Sequence, residues 1–130
     1  MLGIKELVQE ARAGATEVSP SDAQRDIDAG ALVIDVREPG EFAQLHVAGA
    51  VNVPRGVLEL KAAVDSPVAD AQLTAKREQR VLLYCTKSPS ARSLLAAQTM
   101  GRLGYADVTV LDGGLNAWSE AGLPTEAGGS

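Results

Sequence analysis

Apolar and polar residues follow one another along the chain in blocks that predict strands and helices in turn. Continuous apolar runs at residues 31–36 ("ALVIDV") and 80–85 ("RVLLYC") are typical of strands buried on both faces of a parallel sheet. Elsewhere apolar residues recur at helical spacing, as Ile4, Leu7 and Val8 do near the start of the chain. The succession predicts an α/β fold with a mainly parallel central sheet flanked by helices on both faces.

Turn and capping residues divide the rest of the chain into shorter elements. Ser19 followed by Pro20 predicts a helix start, because serine caps helices and proline is favoured in the first turn. The predicted elements are a leading helix at 1–14, a strand at 15–20, a helix from Ser19 to about Ala29, a turn at 37–42, one or two helical turns within 41–47, a strand at 49–54, a helix at 55–64, a partly helical spacer at 65–79, a helix ending near Leu103, a strand and glycine turn at 106–114, a helix at 115–122 and a frayed tail at 123–130.

Length and composition predict one folded domain. The chain has 130 residues, of which 45% are hydrophobic, and this is enough for a single core. We expect an N-terminal helical extension over residues 1–15, the domain over 16–126 and a flexible tail at 127–130.

Charge and cysteine content narrow the classes of partner and compartment. A net charge of −5 argues against nucleic acid or an anionic membrane as a partner. The single cysteine cannot form an internal disulfide, which suits a reducing compartment. The charged start of the chain lacks the apolar run of a signal peptide, and no apolar stretch is long enough to cross a bilayer. These features predict a cytoplasmic protein.

The cysteine stands at the end of the second buried run, where a helix is expected to follow. Ligands of open α/β sheets bind at the carboxyl ends of the strands, and a helix start offers unpaired N–H groups and partial positive charge. Lys87 and Arg92 add full charges near Cys85, and both effects lower a thiol pKa and favour the reactive thiolate. A lone cysteine can also be a small core residue. The polar, basic segment after Cys85 favours a nucleophilic thiolate in an anion-binding loop.

Three segments resemble the rhodanese-like domain family of sulfurtransferases over the span from Ser19 to Glu126. The first is "VIDVREPGEFAQLHVAGAVNVP" at residues 33–54, and the second combines the Tyr84-Cys85 pair with "RSLLAAQTM" at residues 92–100. The third is "VLDGGLNAWSEAGLPTE" at residues 110–126. The resemblance identifies residues 16–126 as a rhodanese-like domain.

That resemblance implies a persulfide mechanism without a cofactor. The Cys85 thiolate would take the outer sulfur of thiosulfate or a persulfide donor, and the sulfur would then pass to cyanide or a thiol, which can belong to a protein. The partners implied are therefore a small anionic sulfur donor and a thiol or cyanide acceptor. The residues implied in binding the anion are those after the cysteine: Thr86, Lys87, Ser88, Ser90, Ala91 and Arg92.

The segment between Cys85 and Arg92 departs from the family pattern. Single-domain members have the loop C-x-x-G-x-R-S, whereas here two further residues intervene, no glycine is present and Pro89 lacks an N–H donor. Relatives with C-x-x-x-x-x-R loops act as phosphatases or arsenate reductases, and the present segment is one residue longer than theirs. We favour a sulfurtransferase; a phosphatase or arsenate reductase and a non-catalytic rhodanese-like binding module are the alternatives.

The two extra residues have two structural interpretations. They can lengthen the helix, with Ser88 as its cap and Pro89 as its first residue. They can instead widen the loop, with the helix beginning between Ser90 and Arg92. We favour the wider loop.

The other chemistry-bearing residues have structural interpretations. His46 is the only histidine and is expected to form structural hydrogen bonds rather than to act as a base. Arg37 lies beyond a strand end, where it could guide an anionic substrate, but pairing with a neighbouring carboxylate is the favoured interpretation. Trp118 is expected to pack under the last helix. The sequence has no constellation of metal ligands.

Overall fold

The computed structural model describes residues 1–129 and confirms the α/β fold. The strands are β1 Thr16–Val18, β2 Leu32–Asp35, β3 His46–Val47, β4 Val51–Asn52, β5 Arg80–Tyr84, β6 Asp107–Leu111 and β7 Thr125–Glu126. The helices are α1 Ile4–Ala13, α2 Pro20–Asp28, α3 Pro39–Gln44, α4 Leu58–Ala62, α5 Ala71–Thr74, α6 Ala91–Arg102 and α7 Gly114–Glu120, and a 3-10 turn covers Arg55–Val57. None of these helices has the length and apolar character needed to cross a bilayer.

The central sheet is parallel throughout and has the strand order β1-β6-β5-β2-β4. Strand β5 lies in its centre, with Leu83 opposite Ile34 of β2 and Val110 of β6. A second, antiparallel sheet pairs β3 with β7, so that His46 lies opposite Glu126.

Helices cover both faces of the central sheet, as the pattern predicted. Successive side chains of a strand point to opposite faces. In β5, Val81 and Leu83 belong to a core cluster with residues of α1, α4, α5 and α6, whereas Leu82 and Tyr84 belong to a second cluster with residues of α2 and α7. The four side chains are fully buried, which explains why the strand reads as a continuous apolar run.

The predicted start of α2 is confirmed, and that of α3 is wrong. The Ser19 hydroxyl accepts a hydrogen bond from the Asp22 N–H at 3.2 Å and caps α2. Pro39 and Gly40 were expected in a turn before the helix, but they form its first residues. Proline is compatible with a first helical position, and Glu41 accepts a hydrogen bond from the Glu38 N–H at 2.9 Å, which closes the helix start. The helix ends at Gln44, so residues 46–47 are free to form β3.

The tail prediction also needs correction. Thr125 and Glu126 were expected to fray, but they form β7, and the Gly49 N–H donates to the Glu126 carboxylate at 3.0 Å. Residues 127–129 have no regular structure, although the Gly128 N–H donates to the Ala43 carbonyl at 2.7 Å. The flexibility assigned to 127–130 stays a prediction, and its last residue lies outside the described residues.

Candidate active site

Cys85 lies at the point of the sheet where the direction of strand succession changes. Cys85 directly follows β5, and β5 and β2 are neighbours in the sheet. After β5 the chain continues to β6, on the side of β5 away from β2. After β2 it reaches β4, on the side of β2 away from β5. The Val36 N–H donates to the Tyr84 carbonyl at 3.2 Å and continues the pairing of β2 and β5 to the residue before the cysteine. Such switch points, at the carboxyl ends of strands, are the usual ligand sites of open α/β sheets.

The loop after Cys85 is wider, and the helix is not lengthened. Helix α6 begins at Ala91 with Ser90 as its cap residue, which confirms the interpretation we favoured. Ser90 has a φ of 63°, in the left-handed region that non-glycine residues rarely adopt, and its N–H donates to the Lys87 carbonyl at 2.9 Å. Residues 85–90 thus turn the chain sharply from the strand into the helix.

Unpaired backbone donors surround this turn. Between residues 1 and 129, no backbone carbonyl accepts a hydrogen bond from six N–H groups, those of Thr86, Lys87, Ser88, Ala91, Arg92 and Ser93. Three of the six belong to the first turn of α6, where a helix leaves its donors free. The loop therefore has the donors that an anion or a persulfide requires.

Cys85 lines a cavity of about 200 Å³. Cys85 is 3% exposed, and the other lining residues are Thr86, Lys87, Ser88, Pro89, Ala91 and Arg92. All but one of the predicted anion-binding residues therefore line the same cavity as the cysteine. The exception is Ser90, which is buried at the start of α6 and does not line it.

The Ser93 hydroxyl lies within hydrogen-bond distance of the sulfur. Its Oγ lies 3.4 Å from the Cys85 Sγ and 3.1 Å from the Ser90 carbonyl oxygen. A hydroxyl has one hydrogen, so Ser93 can donate to the carbonyl and accept from the thiol, or turn and donate to the thiolate. The sequence predictions did not include this residue.

Arg92 is held by an acidic residue that is distant in sequence. Its Nη1 and Nη2 atoms lie 2.9 and 3.3 Å from the two carboxylate oxygens of Glu41 in α3, and Nη2 also donates to the Thr86 hydroxyl at 3.0 Å. The hydrogen bonds from Arg92 hold the pKa of Glu41 below its usual value, and the bonds to Glu41 raise the pKa of Arg92. A carboxyl with a lowered pKa stays ionised as the pH falls, so the pair persists until the pH passes below that lowered value.

Lys87 is the cavity cation whose charge is not shared. It is exposed, and it has no ion-pair partner in the described part of the chain. The positive charge available to an incoming anion is therefore concentrated on Lys87, whereas that of Arg92 is largely offset by Glu41.

Arg37 pairs with a carboxylate, as expected, and does not line the cavity. Its Nε and Nη2 atoms donate to the Asp35 carboxylate at 3.0 and 2.8 Å, and Nη2 also donates to the Leu45 carbonyl. The Tyr84 hydroxyl donates to Asp35 at 2.6 Å. Burial, followed by the Asp35 charge, raises the pKa of Tyr84, so its phenol stays a donor. These buried groups fix the strand ends directly before Cys85.

Helix α7 is hydrogen-bonded to the backbone at the start of the loop. The N–H groups of Leu115 and Asn116 donate to the carbonyls of Cys85 and Thr86, each at 2.9 Å. Gly114 has a φ of +58°, and a Cβ placed there would lie 2.6 Å from the Cys85 carbonyl oxygen. The sequence signalled a turn at Asp112-Gly113-Gly114 but not its contact with the cysteine, which depends on the packing of α7.

His46 and Trp118 have the structural roles that were predicted. The His46 ring stacks on Phe42 with centroids 3.7 Å apart, and its Nδ1 lies 2.7 Å from the Phe42 carbonyl oxygen. Trp118 is buried, and its indole N–H donates to the Pro124 carbonyl at 2.8 Å. Neither residue lines the cavity. Among residues 1–129, no group of three or more histidine, cysteine or acidic side chains could hold a metal.

Comparison with known proteins agrees with this geometry. The family model described as "Rhodanese-like domain" matches residues 19–121. A chloroplastic thiosulfate sulfurtransferase of Arabidopsis thaliana is 31% identical over 112 residues, covering 86% of this chain and 93% of the relative. An uncharacterised Synechocystis protein is 35% identical over 94 residues, which is 72% of this chain but only 46% of that relative.

Solved structures share the architecture. A Rhodopseudomonas palustris protein of unknown function, described as a possible tyrosine phosphatase, superposes with a TM-score of 0.87 at 29% identity. The match covers 97% of this chain and 96% of that one. The similarity therefore includes α1, which precedes the residues that the family model matches.

Proposed function

The chain is a member of the rhodanese-like domain family, and we propose that it is a sulfurtransferase that carries sulfane sulfur on Cys85. The observation that carries the proposal is the cavity: it is lined by the only cysteine of the chain and by an unpaired cation, Lys87, and within residues 1–129 neither a carboxyl nor an imidazole lines it. The relative named as a thiosulfate sulfurtransferase supports the same chemistry.

In the first half-reaction, the Cys85 thiolate attacks the outer sulfur of thiosulfate or of a persulfide donor. A bond forms between the two sulfurs while the S–S bond of the donor breaks, and sulfite leaves with the electron pair when the donor is thiosulfate. A thiol or cyanide then takes the outer sulfur and releases the thiolate. Sulfite needs no proton to depart, so the lack of an acid in the cavity is no obstacle to this step.

The loop groups have separate tasks in this scheme. Lys87 attracts the anionic donor, and the free N–H groups of the loop and of the α6 start stabilise the persulfide anion. Ser93 donates to the sulfur when its hydroxyl turns from the Ser90 carbonyl. Arg92, through Glu41 and Thr86, holds the loop at its observed width.

A phosphatase is the second candidate, because the Rhodopseudomonas palustris neighbour is described as a possible tyrosine phosphatase and the Cys–Arg spacing is wide. Phosphate-ester cleavage needs an arginine free to bind the phosphoryl oxygens and an acid to protonate the leaving alkoxide. Arg92 is paired with Glu41, and no acidic residue in the described part of the chain lines the cavity. The observed geometry favours sulfur transfer.

Intact-mass measurement after incubation with thiosulfate tests the proposal. We expect the protein to gain the mass of one sulfur atom and to lose it on addition of cyanide. Cys85→Ser is the matched control and should gain nothing. Turnover of an aryl phosphate without any gain of sulfur would establish the phosphatase instead, and inertness toward thiosulfate, a persulfide and the phosphate would indicate a binding module.

Substitution of Lys87 tests the electrostatic part of the mechanism. In Lys87→Ala, loading from the thiosulfate dianion should slow by about three- to tenfold at low salt, because a nearby full charge is lost. The rate at which Cys85 attacks the central sulfur of a neutral organic trisulfide RS–S–SR, which forms a mixed trisulfide on the cysteine and releases RS⁻, should not change. Lys61→Ala, which removes a lysine from α4 outside the cavity, is the control. Equal effects on charged and neutral donors would show that Lys87 does not attract the donor.

A further inference from the structure

A second depression adjoins the cavity above Cys85. It has a volume of about 550 Å³ and lies between one side of α1 and the loop, where Ile4, Val8 and Gln9 face Ser88, Pro89 and Ala91. The last three residues also line the Cys85 cavity, so the two spaces share a wall. We refer to this second space as the α1 groove.

The α1 groove is apolar inside and positively charged at its rim. Ile4 is 65% exposed, so its side chain leaves apolar surface of the groove open to water. The charged residues that line the groove are Lys5 and Arg12, and no carboxylate of residues 1–129 lines it. Arg12 pairs with Glu17 at 3.5 Å and donates to the Pro89 carbonyl at 2.6 Å, which fastens α1 to the loop.

From these features we infer that the α1 groove binds the organic part of a small anionic sulfur donor, in which the sulfane sulfur is carried on an apolar group rather than on sulfite. The inference rests on the proposed function and specifies its substrate class. The Cys85 cavity, at about 200 Å³, is smaller than typical small-molecule sites of about 300–1,000 Å³, whereas the groove falls within that range. Because the groove shares Ser88, Pro89 and Ala91 with the Cys85 cavity, a donor can place its apolar part in the groove beside the cavity that holds its terminal sulfur. Lys5 at the rim, which has no ion-pair partner in the described part of the chain, suits a donor that is an anion.

The chemistry balances without an additional reagent. For a donor R–SO₂–S⁻, the Cys85 thiolate attacks the terminal sulfur, a new S–S bond forms, and the donor S–S bond breaks. The sulfinate R–SO₂⁻ leaves with the electron pair, and no oxidant or proton is consumed. The apolar group R remains in the groove while the terminal sulfur reaches the cavity.

Benzenethiosulfonate and methanethiosulfonate, which differ only in R, provide the test, and thiosulfate, a dianion with O⁻ in place of R, is the reference donor. The rate of sulfur loading on the full chain is measured by intact mass, and each rate is divided by that of the same donor with a small free thiol, which removes differences in intrinsic reactivity. We expect a normalised preference of about tenfold or more for the benzene donor over the methane donor, because the ring is removed from water in the groove. Ile4→Ser should reduce that preference about threefold, since it removes apolar wall area.

Leu7→Ser is the matched control, because Leu7 also belongs to α1, is 39% exposed and does not line the groove. An unchanged preference in Leu7→Ser together with a reduced one in Ile4→Ser supports the inference. Normalised rates within twofold for all three donors, or equal effects of the two substitutions, would overturn it while leaving the sulfurtransferase proposal intact. Failure of every donor to load Cys85 would instead overturn the proposed function, and this inference with it.

Discussion

Replacing Gly114 with alanine is expected to lower the free energy of unfolding by about 3 kcal/mol or more, the sum of a left-handed backbone and an overpacked contact. The residue has a φ of +58°, and the added Cβ would meet the Cys85 carbonyl oxygen at 2.6 Å and the Thr86 carbonyl carbon at 2.7 Å. These obstacles are backbone atoms, which cannot rotate away as a side chain can. Relief of the clash requires that α7 and the loop separate.

The separation should also reduce activity, because the loop carries the nucleophile. Sulfur loading of Cys85 in folded Gly114→Ala is expected to be at least about tenfold slower, since displacements near 1 Å in a site can cost more than that. Urea unfolding gives the stability and intact mass gives the loading rate.

Gly122→Ala is the appropriate control. Gly122 lies beyond the other end of α7 with a φ of +73°, but a Cβ there would meet nothing within 4 Å. The substitution isolates the backbone cost, about 1 kcal/mol, and should leave loading unchanged. If the two variants lose equal stability and retain equal loading rates, the close contact between Gly114 and the loop contributes to neither stability nor sulfur loading.

Asp35→Asn is expected to lower the free energy of unfolding by about 3–5 kcal/mol, because it leaves the guanidinium of Arg37 buried without a counter-charge. Both side chains are almost completely buried. Asp35 also accepts from the Tyr84 hydroxyl, while the Asn52 side chain donates to the carbonyls of Asp35 and Arg37. The whole group lies at the strand ends that lead into the site, so its loss affects more than one contact.

A second substitution shows whether the lost stability comes from the missing ion pair or from the buried, unpaired charge of Arg37. Adding Arg37→Met to Asp35→Asn should restore at least half of the lost stability, because exchange of a buried ion pair for apolar groups is often nearly neutral. Glu59→Gln, which breaks the exposed Arg55–Glu59 pair, should cost about 0.5 kcal/mol or less. If Asp35→Asn lowers the free energy of unfolding no more than Glu59→Gln does, the buried Arg37 guanidinium does not need the Asp35 carboxylate as a counter-charge.

Local pattern predicted the sheet but not the small elements at its edge. The β2 and β5 runs are apolar from Leu32 to Ile34 and from Val81 to Tyr84 because both faces of the sheet are covered there, and that signal is independent of the rest of the chain. Strands β3 and β7 have two residues each and are stabilised by pairing across 80 positions, from His46 to Glu126. Two residues carry too little periodicity to be recognised, so β7 was mistaken for part of a frayed tail.

Local residue pattern is sufficient to specify the parallel sheet, the place of Cys85 at a strand end, and a polar, basic loop between that strand and a helix. Each of these follows from residues that are neighbours in the chain, because strand burial and helix starts depend on local pattern. Which of the two loop cations remains unpaired depends on contacts between distant parts of the chain. Arg92 meets Glu41, 51 positions away, when α3 packs beside the loop, and Lys87 meets no such partner among residues 1–129. Tertiary packing also placed α1 and Gly114 against the loop, because contacts between elements depend on their arrangement in space.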